Sequence, residues 1–368
     1  MTMYAFYILK EHKIRYLLTA LGISLCALLM LFLISIYKGV SYGSVEYVRS
    51  GNADLWVLQR HATNILRSTS LLPSSYKERL NKIQGVESAS PVFFILASIK
   101  HKNRNGSLYL TGYDPKSGIG GPPEIIKGRN ILSDDEIVLD KAFAAKYEIK
   151  IGDKIQVRDD SLVVSGICTG TNMFVIQYAF ISLKMAQYII GYRLFVSCYQ
   201  VHVIPGSNLE NIRSAIYSGF KNVVVFDKKT FLENNLREME SGILPLLFII
   251  TIISAIVLTA ILSLILSISI LEKHKDFAIM KALGSPHGFI TGIVVRLSVM
   301  LSFAGLTFAL VFFFPMVSIV ERISPEVSTK TSFSQILVVS FGVLIISIIS
   351  TILPVRSIRK IYPLEIFK

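Results

Sequence analysis

The residues best placed to do chemistry lie in one short charged stretch, Glu272–Ser285, with the sequence EKHKDFAIMKALGS. Glu272, Lys273, Lys275, Asp276 and Lys281 supply charge of both signs, and Phe277, Met280 and Leu283 supply apolar knobs among them. Good helix formers run through Leu283. Gly284 suits the left-handed position after a helix end, and Ser285-Pro286 suits the cap and first turn of the next helix. The stretch pairs no nucleophile with a general base. Its chemistry is recognition: a rigid polar helix between two apolar runs offers a surface that a partner clasps. A solvated connecting loop is the competing reading of the pattern alone.

Elsewhere the residue types that carry catalysis are dispersed. His12, His61, His101, His202, His274 and His287 form no HExxH and no spacing that sets two ligands on one helix face, so no metal site is expected. There is no GxSxG elbow. Ser117–Pro123 is Gly-rich, but no Lys-Ser or Lys-Thr follows, so it reads as a turn rather than a phosphate loop. The chain is expected to hold no cofactor and to hydrolyse no ATP by itself. Cys168 and Cys198 fall in strand-like segments of an exterior region, where a disulfide is permitted and two buried thiols are the alternative. The formal charge of +13 suggests nucleic acid, yet the basic residues are spread along the chain without a basic-aromatic cluster. Membrane-surface charge and topology account for it, and no nucleic-acid partner is expected.

The elements that must position the Glu272 stretch are membrane helices. With 52% hydrophobic and 17% charged residues and a mean hydropathy of +0.55, the chain is too apolar for an ordinary soluble protein. Spans are expected at 17–37, 243–270, 286–320 and 333–353, each long enough for a bilayer that takes roughly 20 residues. Lys and Arg cluster in the N-terminal amphipathic segment 1–16, in the 272–284 helix and in the tail 354–368; the 321–332 loop carries only Arg322 and Lys330. Both termini and the 272–284 helix are therefore expected in the cytoplasm and residues 38–241 outside. Thr259, Ser263 and Ser267 recur on the second span as a small polar stripe suited to close helix packing, within the chain or across a dimer. The exterior segment alternates strand and helix signals. An α/β lobe at about 45–100 and 195–230 is expected to carry an inserted β-rich lobe at about 101–194. A polar helix at about 227–242 is expected to run into the second span as a stalk.

Three motifs together resemble the MacB/FtsX-type family of ABC transporter permeases. The Glu272–Ser285 stretch resembles that family's E-R-x-x-[DE]-[IF]-x-x-[LM]-[KR]-A-[LIM]-G-[AS] signature, with Lys273 where Arg is usual. The segment Pro354–Ile366 (PVRSIRKIYPLEI), with Pro354, Arg356, Pro363 and Glu365, resembles its C-terminal ending. Lys13–Ile23 (KIRYLLTALGI) resembles its N-terminal entry. Chain length and the ADLWV segment look most like the DevC-like branch, whose ATPase is a separate subunit. The resemblance implies an α-helical membrane protein with four transmembrane helices in a one-plus-three order around a large extracytoplasmic α/β domain. It implies a bacterial inner-membrane permease that pairs with a second copy or a paralogue above two ABC ATPase subunits. Those subunits would bind ATP and Mg and grip 272–284 as a coupling helix. The implied work is mechanotransmission that exports or extrudes an amphiphile, with a periplasmic adaptor and outer-membrane channel as possible further partners. An FtsX-like transducer regulating an exterior enzyme is the alternative.

Overall fold

The computed structural model describes residues 13–102, 104–172, 176–242, 244–327, 329 and 331–359. The chain divides into two units, one of residues up to Lys38, Pro245–Ile319 and from Thr329 onward, the other Gly39–Leu244 with Val320–Ser328.

In the first unit, the described residues include four helices long and apolar enough to cross a membrane. They are α1 (Lys13–Gly43), α8 (Leu244–Glu272), α10 (His287–Ile323) and α11 (Phe333–Ser350), the last followed by α12 (Ile352–Arg359). Their one-plus-three order matches the sequence expectation. Two of them are longer than expected. At 31 residues α1 is about 46 Å long and at 37 residues α10 is about 55 Å, against a hydrocarbon core of about 30 Å. Ile23, Ala27, Leu258, Leu262, Leu297 and Val343 form the buried centre of this unit. Small residues let the helices approach. A Cβ on Gly305 would lie 2.5 Å from Ile23 Cγ2, so α10 passes α1 at a distance only glycine permits. The Ser254 hydroxyl donates to the Cys26 carbonyl at 3.2 Å, and that of Ser298 to the Ser347 carbonyl at 2.8 Å.

The second unit is built on a ten-stranded mixed sheet. Its strands are β1 (Leu55–Gln59), β3 (Val86–His101), β4 (Arg104–Tyr113), β5 (Glu124–Gly128), β6 (Glu136–Asp140), β7 (Lys154–Val157), β8 (Asp160–Thr169), β9 (Gln177–Ser182), β11 (Cys198–Val203) and β12 (Val223–Asp227). The order is β12-β1-β11-β3-β4-β9-β6-β8-β5, with β7 against β3 and β8. A short pair, β2 (Leu72–Pro73) and β10 (Phe195–Val196), lies apart. Helices α2 (Glu46–Ser50), α3 (Tyr76–Leu80), α4 (Lys141–Lys146), α5 (Leu183–Ile190), α6 (Leu209–Gly219) and α7 (Lys228–Ser241) complete it. Side-chain caps start several of them: Asp140, Ser182, Asn208 and Asp227 each accept a backbone N–H of the following turn.

Two expectations change here. The lobes share one sheet, because β3 pairs with β11 over Val86–Val92 and with β4 over Phe93–His101. The change of partner falls near residue 92, and a single 16-residue strand crosses it. The stalk is also not continuous with the second span. Helix α7 ends at Ser241, Gly242 takes φ −92° and ψ −105°, and α8 begins at Leu244. A glycine at that junction carries no side chain to hold it helical.

Candidate functional site

Helix α8 closes on Glu272, Lys273 makes a single-residue turn, and α9 runs His274–Ala282. The helix end is a Schellman closure. Gly284 stands at φ +88°, its N–H donates to the Lys281 carbonyl at 3.0 Å, and the Ser285 N–H reaches back to the Met280 carbonyl at 3.0 Å. The Pro286 carbonyl then accepts from the Phe289 N–H at 2.9 Å as α10 begins. The turn chemistry thus fixes α9 between two long helices with one residue before it and four after it.

The side chains of the stretch divide between two roles. Phe277 and Ala278 are buried in the centre of the helical unit, and Met280 packs against it from a half-buried position. Phe277 is therefore not an outward knob, as its type alone suggests; one face of α9 is consumed by its own bundle. The outward set is Lys275, Ile279, Ala282 and Leu283, at i, i+4, i+7 and i+8. Leu283 is 83% exposed and Ile279 47%. Ile279 and Ala282 escaped sequence reasoning. Their signal was the helical period counted from Lys275, which the apolar residues on the opposite face obscured.

The charges divide as well. Glu272 pairs with Arg15 at the start of α1. Arg15 Nη2 also donates to the Tyr16 hydroxyl at 3.0 Å, which lies 3.0 Å from Ser269 Oγ on α8. Lys273 Nζ stands 3.8 Å from Asp276 Oδ2, one turn on. Glu272 and Lys273 thus tie the base of α9 to the bundle and to itself. Lys275 is left as an exposed cation on the outward face, and Lys281 is half-buried. An arrangement of a leucine, an isoleucine and a lysine on a rigid helix suits an apolar groove with an acidic rim; it offers nothing that activates a nucleophile.

The other predicted residues fall as follows. Thr259 and Ser267 donate to carbonyls four residues back in their own helix, Ala255 and Ser263, each at 2.8 Å, and Ser263 is 8% exposed. Cross-helix hydrogen bonds among the described residues of this bundle come instead from residues such as Ser254, Ser269 and Ser298. In the tail, Pro354 is buried in the first turn of α12, where a missing N–H costs little, and Arg356 is exposed. Pro363 and Glu365 lie outside the described residues, as do residues 1–12 of the N-terminal segment. Cys168 and Cys198 are both free and buried, so the disulfide alternative gives way to two thiols. Burial pushes the Cys168 thiol up to about 12 and that of Cys198 higher still. Among the described residues no group of three or more His, Cys, Asp or Glu could hold a metal ion.

Residues 16–217 match the MacB-like periplasmic core domain, and residues 248–363 match the FtsX-like permease C-terminal domain. An uncharacterized ABC transporter permease of Methanocaldococcus jannaschii is 24% identical over 98% of this chain and 96% of its own length. Two solved structures are similar in part. The periplasmic region of MacB from Actinobacillus actinomycetemcomitans is 14% identical with a TM-score of 0.41, over 50% of this chain and 94% of that one. The extracellular domain of the noncanonic ABC-type transporter YknZ from Gram-positive bacteria is 11% identical with a TM-score of 0.38, over 48% of this chain and 100% of that one. The first domain match covers more than half of the chain and the second takes up most of the remainder, α9 included, so the chain belongs to the MacB/FtsX-type family of ABC transporter permeases.

Proposed function

We propose that this permease is worked by separate ATPase subunits that seat α9 in a surface groove. Two permease chains, identical or paralogous, pair above two such subunits, which bind ATP and Mg. The α9 face lies in the cytoplasm with both termini, and the ten-stranded domain lies outside the inner membrane. Closure of the ATPase pair displaces α9, and the long helices on either side carry that displacement outward to extrude an amphiphile. The observation that carries this reading is Leu283, 83% exposed beside Ile279 on a helix locked by a Schellman turn and anchored inward by Phe277. Leu283, Ile279 and Ala282 are exposed together on one face, and a contiguous apolar patch rimmed by polar residues marks an interaction site.

Leu283→Asp tests the reading. The variant is expected to insert and to keep the wild-type unfolding temperature, yet to lose its ATPase on purification from the native host. Recovery of an ATPase at wild-type yield and turnover would overturn the assignment. Met280→Glu is a poorer probe, because Met280 also packs against the bundle.

A further inference from the structure

The ten-stranded domain contains a cavity that the permease reading leaves without a role. It exists because β3 lacks a second neighbour for part of its length. Strand β11 pairs with it only as far as Val92 and β7 only from Ile99, so Phe93–Ser98 is paired with β4 alone. Beside this gap opens a cavity of about 470 Å³. Ile65, Phe94, Leu96, Tyr109 and Tyr192 are among its lining, and among the described residues Arg67 is the one charged side chain that lines it.

The walls are pre-formed. The Tyr109 hydroxyl donates to the Ile65 carbonyl at 2.6 Å, and the Ile65 N–H donates to Asn235 Oδ1 at 3.0 Å. Asn64 Oδ1 accepts from the Arg67 N–H at 2.8 Å and from that of Ser68 at 3.3 Å, so the loop bearing Arg67 is folded on itself. The Phe94 and Tyr109 rings stack at 5.7 Å. At the rim Leu96 is 58% and Tyr192 52% exposed, large apolar surfaces with no role in the sheet's own core. Arg67 is 68% exposed, with Nη1 held 3.1 Å from Glu238 Oε1. The volume falls inside the roughly 300–1,000 Å³ of small-molecule sites, and the lining joins apolar walls to the polar residues Asn64, Ser68, Thr69, Ser70 and Ser197.

We propose that this cavity binds the apolar chain of an anionic amphiphile, with its acidic head at Arg67. The proposal rests on the permease reading and gives its substrate class an address. The apolar walls take the chain out of water, which favours binding in proportion to the area covered. Arg67 Nη1 is held by Glu238, and the remaining guanidinium N–H donors at the mouth are offered to the acidic head, because a charge-assisted hydrogen bond is stronger than a neutral one.

The test uses the full chain in phosphatidylcholine nanodiscs, photolabelled with a diazirine analogue of myristic acid or with the matching myristyl alcohol. Labelled peptides are mapped by mass spectrometry. The acid is expected on the Phe94–Leu96 and Tyr192 peptides. Leu96→Asp, at an exposed site, is expected to lower both labels there by about tenfold, equivalent to roughly 1.4 kcal/mol. Arg67→Gln is expected to lower acid labelling and leave alcohol labelling unchanged. Label confined to the membrane helices, or cavity label indifferent to Leu96→Asp, overturns the site. Equal loss of acid and alcohol with Arg67→Gln overturns the anionic head. The readout needs no ATPase, so a failed docking result with Leu283→Asp leaves it standing, and its own failure leaves the docking reading standing.

Discussion

Replacing Phe277 by alanine separates the two faces of α9 energetically. The side chain is 3% exposed in the centre of the helical unit, so its loss removes nearly all of a buried ring. Core Phe→Ala substitutions cost about 3–5 kcal/mol once the cavity left behind is included. The lower end, about 3 kcal/mol, applies to a helix at the edge of a bundle, where neighbours close part of the gap. Leu283 is 83% exposed. Full burial of a leucine is worth about 1.5–3 kcal/mol, so the sixth that is covered contributes only about 0.4 kcal/mol. At roughly 2–4 °C per kcal/mol, Phe277→Ala is expected to lower the unfolding temperature by about 6–12 °C and Leu283→Ala by under about 2 °C. The only tryptophan, Trp56, lies in the exterior domain and reports the wrong unit. Cys26 is buried in the helical bundle, so a thiol-reactive dye in a Cys168→Ala, Cys198→Ala background reads the right one. Equal shifts for the two variants, or a Phe277→Ala shift within about 2 °C of wild type, would refute the division of α9 into an inward anchor and an outward surface.

Three further outcomes are expected. Gly284→Ala forces a side chain to φ +88° at a cost of about 1–2 kcal/mol, whereas Gly284→Asn recovers much of it; equal Cys26 unfolding temperatures for the two would count against the Schellman turn. Glu136 is held below its ordinary value of 4.5 chiefly by a two-pronged hydrogen bond from Arg129. A depressed carboxylate adds stability that is complete above about 4.5 and fades as pH falls through the folded value. The stability gap between wild type and Glu136→Gln, read from Trp56 fluorescence, should thus shrink on acidification, and a gap that widens would reverse the sign. Finally, Cys168 and Cys198 should resist an aromatic disulfide reagent at pH 8 in the native state and add two thiols to Cys26 in denaturant; one thiol in unreduced, denatured protein would mean that they are bonded.

Much of the fold was legible because its signals are local. The ADLWV segment reads as the strand that is β1, the polar helix at about 227–242 is α7, and length with apolarity marks the spans. What escaped lacks a periodic signal. Strand β9 is buried at all six positions, so it shows none of the alternation that marks a half-buried strand. The first half of β3, VESAS, is polar and carries no strand signal of its own; its pairing with β11 sets it in the sheet. In α9 the motif was visible but its facing was not. Phe277 and Leu283 are both apolar, and only the packing against α1, α8 and α10 distinguishes the anchor from the exposed contact.

The placement of helix breaks decides which parts of the chain can carry force. A continuous α-helix moves as a rod, while a junction with free backbone torsions absorbs motion. Helix α1 runs for 31 residues and α10 for 37, each well beyond the roughly 20 that a bilayer requires, but α10 carries Pro315 in its interior, where one backbone hydrogen bond is lost. Helix α8 starts afresh after Gly242 and so cannot act as one rod with α7. The chain just beyond α10 is held. Lys146 Nζ lies 2.6 Å from Glu326 Oε1, and Asn172 Nδ2 donates to the Glu326 carbonyl at 3.2 Å. Glu326 is 17% exposed and Lys146 43%, so the pair is half open to solvent and contributes modestly. These contacts fix the Val320–Ser328 segment to the β-rich half of the sheet within the second unit.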